Sequence, residues 1–151
     1  MRSDVLNINS SEYGNVAEAY SFVAKTAGFT AVAGNCYLVT DLDGCAVVLP
    51  APSVGDKIKI VFGAVTSNNH TITTDATTTL FSGYALMLDG VDATPAQQIV
   101  FAADETDDDV FSMNATTTGI SAVVELLAIS DKMWQIEALV YASGASATPF
   151  A

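Results

Sequence analysis

Lys57-Ile58-Lys59-Ile60-Val61-Phe62 is the stretch whose reading decides the fold. Ile58, Ile60 and Phe62 occupy every second position, the period of a β-strand with one buried face. Residues 122–130 repeat that period, with Val123, Glu125, Leu127 and Ile129 on one side. Residues 133–141 answer them, with Trp134, Ile136, Ala138 and Val140 in phase, and Ser130-Asp131-Lys132 reads as the hairpin turn between the two. Cys45-Ala46-Val47-Val48-Leu49 is a shorter run of strand-forming residues, stopped by Pro50-Ala51-Pro52. The expected core is built around Val48, Ile58, Ile60 and Trp134.

Turn signals recur between these runs, at Gly34-Asn35, Asp43-Gly44, Gly55-Asp56, Ser67-Asn68-Asn69 and Asp89-Gly90. Threonine triplets at 77–79 and 116–118 suit strands or their edges. The pattern predicts an all-β fold: a single-domain antiparallel β-sandwich or barrel. Helical character is thin. Residues 11–27 read either as a short helix or, at Tyr20-Ser21-Phe22-Val23, as a strand. The expected organisation is an N-terminal arm and lead-in segment over 1–25 and a β domain over 26–142. A flexible tail over 143–151 ends on Phe150-Ala151.

Charge and hydropathy pull in different directions. The 151 residues carry 17 Asp and Glu against 5 Lys and Arg, a net charge of −12, yet 50% are hydrophobic, and the mean hydropathy is +0.39. Acidic disordered chains are poor in apolar residues, so this one is expected to fold around a core. Its apolar content exceeds what a small monomer needs, which points to buried contacts between subunits. Five scattered basic residues do not offset a polyanion, so nucleic acid is not an expected partner. Anionic membranes are disfavoured by the same sign, and no apolar run reaches the length that spans a bilayer. Met1-Arg2-Ser3-Asp4 opens no apolar segment of the secretory type.

The residues that carry chemistry are few. Pairing across the turn at 41–44 would set Thr40 opposite Cys45, too far from Cys36 for a bridge, so both are expected to be buried free thiols. His70 is the only histidine, which leaves no zinc set and no Ser-His-Asp triad. The acidic run Asp104-Glu105-Thr106-Asp107-Asp108-Asp109 offers hard oxygen ligands, and Asp107, Asp108 and Asp109 are the candidates for a Ca²⁺ or Mg²⁺ site. The competing reading is a solvated, self-repelling loop. Asp41-Leu42-Asp43-Gly44 begins like a calcium loop, but its twelfth position is Pro52. Glu125 and Glu137 fall on neighbouring expected strands, a possible carboxylate pair. Glu137 is out of phase with Trp134, however, and is expected to face solvent. Three N-x-S/T matches, at Asn9, Asn69 and Asn114, are what chance yields in a threonine-rich chain. No enzyme and no cofactor are expected.

One arrangement of motifs is more distinctive. A strand, Cys36-Tyr37-Leu38-Val39-Thr40, and a turn lead into Val47-Val48-Leu49-Pro50-Ala51-Pro52-Ser53-Val54-Gly55-Asp56-Lys57-Ile58-Lys59-Ile60. Asn68-Asn69-His70-Thr71-Ile72 follows, and near the end Val123-Val124-Glu125-Leu126 precedes Met133-Trp134-Gln135-Ile136. This order resembles a β module of tailed-bacteriophage virion proteins, found in tail fibres and in capsid decoration (cement) proteins. The resemblance covers about residues 30–74 and 122–138. This chain departs from the short form of the module by an insertion over about 75–119, read as an extra hairpin. Pro50, Pro52, Gly55, Asp56 and Trp134 are its scaffold residues: corner, tight turn and core plug.

The resemblance implies a decoration protein on the outer capsid surface of a virion. Such a protein is a homotrimer that binds the major capsid protein and bridges capsid subunits. Under that reading Val5, Leu6 and Ile8 of the arm, with Phe150 at the other end, are candidate capsid contacts. A tail-fibre, spike or receptor-binding module is the alternative.

Overall fold

The computed structural model describes residues 21–64, 67–89, 97–114, 121–142 and 147–151. Among them there are eleven strands and no helix. The fold is all-β. In chain order the strands are β1 (Ser21–Lys25), β2 (Phe29–Thr30), β3 (Asn35–Val39), β4 (Ala46–Val48), β5 (Lys57–Phe62) and β6 (His70–Thr73). They continue with β7 (Leu80–Asp89), β8 (Gln97–Ala102), β9 (Val110–Met113), β10 (Ser121–Ser130) and β11 (Met133–Ala142). Two sheets form, one of seven strands in the order β1-β3-β5-β10-β11-β7-β8 and one of four in the order β2-β4-β6-β9. Residues from both sheets share one hydrophobic core, with Ile58, Ile60, Phe81, Trp134 and Ile136 on one side and Val47, Ile72, Phe111 and Met113 on the other.

The sheets are mixed rather than wholly antiparallel. From β1 to β6 the chain alternates sheets, so each strand lies parallel to the one two places earlier: β1 with β3, β3 with β5, β2 with β4, β4 with β6. The reason lies in the turns. Those after β3 and β5 carry the chain across the core to the other sheet and do not fold it back beside itself. Hence β3 and β4 do not pair across residues 41–44. Cys36 lies on β3 of the seven-stranded sheet and Cys45 just before β4 of the four-stranded one, and both are free and buried. The second half has antiparallel pairs, β5 with β10, β10 with β11, and β7 with β8. Within the inserted region β7 runs parallel to β11 over ten residues, while β9 closes the other sheet against β6.

Three expectations about placement are corrected. Val48 is not core: at 41% exposure it faces out, while its neighbours Val47 and Leu49 are buried. A short β-branched run gives no phase by itself, and here the odd positions face in. Residues 21–25 belong to the sheet as β1, not to an arm. Phe150 is buried against its own chain. Its ring meets Phe111 edge-on at 5.6 Å. The backbone of Ala151 exchanges hydrogen bonds with Val110, and Pro149 O accepts from Ser112 N. The terminal residues thus extend the four-stranded sheet beside β9, and the hydrophobic tip fills a pocket in its own fold.

The scaffold residues work as turn and plug. Gly55 has φ of 93°, and its N–H donates to Ala128 O at 2.9 Å while Ala128 N donates to Asp56 O at 2.9 Å. The Gly55-Asp56 turn is thereby tied to the end of β10. Asp56 Oδ2 also accepts from Ser53 N. Pro52 is buried at the corner, with Pro50 half-buried. Trp134 is fully buried.

Candidate interaction surface

In a strand, successive side chains point to opposite faces, so registers across a sheet define rows. On β10 the core-facing set is Ala122, Val124, Leu126 and Ala128, and on β11 it is Trp134, Ile136, Ala138 and Val140. Val123, Glu125, Leu127 and Ile129 therefore lie on the outward face. Following the register from β1 to β8, one outward row reads Ala24, Leu38, Val61, Val123, Leu139, Leu86, Val100. All seven are apolar, and Leu139 is 48% and Val100 63% exposed. At about 4.8 Å between strands the row is about 29 Å long. Tyr141 and Tyr84, both exposed, flank it on opposite sides. Scattered exposed apolar residues are ordinary, but a contiguous band across a whole sheet marks a contact surface.

The next row on that face, Phe22, Cys36, Lys59, Glu125, Glu137, Tyr84 and Ala102, carries three charges at its centre. Glu125 and Glu137 are direct cross-strand partners, an unfavourable like-charge pairing. Lys59 Nζ binds Glu125 Oε1 at 2.7 Å. Shallow depressions along β10 and β11 are lined by Glu125, Glu137, Leu127 and Gln135, and by Val123, Leu139 and Tyr84. The two carboxylates sit on the open sheet face, in these shallow depressions.

The acidic loop has a different arrangement from the one expected. Its carboxylate group is Asp104, Asp107 and Asp108, with oxygens within 4.8 Å of one another, and Asp109 is not part of it. Asp109 works through its backbone, donating its N–H to Ala151 O and accepting from Thr74 N. The carboxylates are engaged by the loop. Asp104 Oδ1 accepts from Thr106 N at 2.8 Å and Thr106 Oγ1 at 2.7 Å, and Asp108 Oδ2 accepts from Asp104 N at 2.6 Å. Hydrogen bonds from Thr106 hold the Asp104 carboxyl below its usual range, and the Asp104 charge raises that of Asp107. This is a self-capped acidic turn.

His70 is a core residue that the sequence left without a role. It is fully buried, its Nδ1 accepts from Cys45 N at 3.1 Å, and its Nε2 lies 3.2 Å from Gly63 O. Only the neutral ring protonated at Nε2 satisfies both contacts. Burial lowers its pKa. The ring joins β6 to the crossing segment before β4. Val5, Leu6 and Ile8 lie outside the described residues. No protein-family model matches the chain, and no curated protein matches it.

Proposed function

We propose that this chain is a structural virion protein, a capsid decoration protein that binds the outer shell and bridges capsid subunits. The carrying observation is the seven-residue apolar row on the outer face of the seven-stranded sheet, with five residues exposed and Val61 and Leu86 half-buried, in a chain whose charge of −12 disfavours nucleic acid and anionic membranes. An open apolar band of this length suits extended protein contacts better than enclosure of a small substrate. The motif order around Leu49-Pro50, Gly55-Asp56 and Trp134 supports the phage-virion reading, as a scaffold shared by decoration and fibre modules. The work of such a protein is mechanical: added contact area holds neighbouring capsid subunits together, and no catalytic residue is assigned.

Contact with the major capsid protein falls to the segment bearing Val5, Leu6 and Ile8. Phe150 is withdrawn from that role because its ring is committed to Phe111. The test is to mix purified chain with expanded empty capsids. The expected result is many bound copies per capsid and raised heat resistance. Removing residues 1–9 should lower occupancy at unchanged melting temperature of the free chain. Binding to host cells or glycans with no capsid binding would replace this reading by the receptor-binding one.

A further inference from the structure

We infer that the outward face of the seven-stranded sheet pairs with the same face of a second copy, about a two-fold axis lying along β10. The inference rests on the reading of that face as an assembly surface and names its occupant. The two-fold contact takes the place of the trimer that the resemblance implies.

An isologous contact requires a patch that complements itself when left and right are exchanged. β10 is the central strand, with β5, β3 and β1 on one side and β11, β7 and β8 on the other. Exchange about β10 sets β5 on β11 and β3 on β7. In the apolar row, Val61 then falls on Leu139 of the second copy, Leu38 on Leu86, and Val123 on its own counterpart. Apolar meets apolar at each of these positions.

The charged row obeys the same exchange. Lys59 falls on Glu137 of the second copy, and the reverse contact repeats it, while Glu125, on the axis, falls on its own counterpart, each held by the Lys59 of its own chain. Within one chain, Lys59 is bound to Glu125, and Glu137 has no salt bridge among the described residues. The ammonium charge acts on every carboxylate close to it, so Lys59 serves Glu137 of the second copy without leaving Glu125. The contact thereby supplies the cation that the Glu125–Glu137 pairing needs. The other in-plane axis, running across the strands through Val123, would set Lys59 on Gly63, Glu125 on Ser121 and Glu137 on Tyr141. It offers Glu137 no counter-charge from the second copy, which disfavours it. Aligned packing of two sheets face to face is an established arrangement, at about 10 Å separation. The −12 charge of each copy opposes the approach at long range, and physiological salt screens that repulsion beyond about 8 Å.

The test uses the full chain and light scattering at micromolar concentration in physiological salt. Wild type should have twice the 15.7 kDa chain mass. Lys59→Glu alone and Glu137→Lys alone each place like charges across the axis and should raise the dissociation constant at least tenfold. The two together in one chain should restore the dimer, because the new acid and the new base again face each other. The new base also lies opposite Glu125 in its own sheet, so the double variant keeps an internal pair. Leu139→Asp should give a monomer, with circular dichroism confirming that each variant is folded. A wild-type monomer at all concentrations, a trimer, or no recovery in the double variant would overturn the inference. A chain that fails to bind capsids yet shows charge-swap recovery loses the capsid reading and keeps this one.

Discussion

The imidazole of His70 accepts a backbone hydrogen bond at Nδ1 and reaches the Gly63 carbonyl with Nε2. Protonation would place a second donor against the Cys45 N–H. Its folded pKa lies below the unfolded value of 6.5, so the unfolded chain takes up the proton first. Stability from this group is therefore full above about pH 6.5 and falls as pH drops through that value. Denaturant midpoints should decline between pH 7.5 and 5.5, and His70→Asn should be less stable with most of that slope removed. A glycine makes a second residue-scale prediction. Gly83 has φ of 122°, and a Cβ there would collide with the Ile136 carbonyl oxygen of the neighbouring strand. Gly83→Ala should cost about 2 kcal/mol or more in chemical denaturation. The sequence carried that signal as a glycine inside a strand-like run, which marks close backbone approach. Trp134 is buried, and its indole N–H has no partner among the described residues. Trp134→Phe removes that orphan donor and should cost far less than Trp134→Ala, expected at about 3–5 kcal/mol.

Strand order, unlike strand existence, depends on where each turn aims the chain. The alternation in residues 57–62 and 133–141 was legible because one face of β5 and β11 is apolar and the other mixed. Parallel pairing of β1, β3 and β5 was not, since a turn that recrosses the core has the same Gly, Asn and Asp signals as a hairpin turn. The face of β10 was ambiguous for a different reason: both faces are apolar, and only Glu125 separates them. The docking of the terminal segment beside β9 was hidden by its composition. Small residues precede Phe150, and nothing local shows that β9 has an edge to receive them. Because Phe150 is 6% exposed and packs on Phe111, Phe150→Ala should lower stability by about 3 kcal/mol. Its melting temperature would drop visibly, and an unchanged value would mean the terminal segment carries no folding energy.

As a whole, the molecule separates its apolar residues into two populations. One fills the space between the sheets. The other lies in a band across the outside, which is why half of a strongly acidic chain is hydrophobic. The composition alone indicated a surplus, but not its location, because the band exists only once seven strands are in register. Cys36 and Cys45 bear on how that band is tested. Burial raises both thiols, so neither should compete with an introduced surface cysteine for an alkylating reagent.

The most direct measurement is crosslinking of Val123→Cys with a short bismaleimide. Val123 lies on the inferred axis, so two copies present this position to each other. A covalent dimer is expected in high yield from Val123→Cys and in low yield from Val100→Cys, whose counterparts lie at opposite edges of the contact. Equal, low yields from both positions would contradict it.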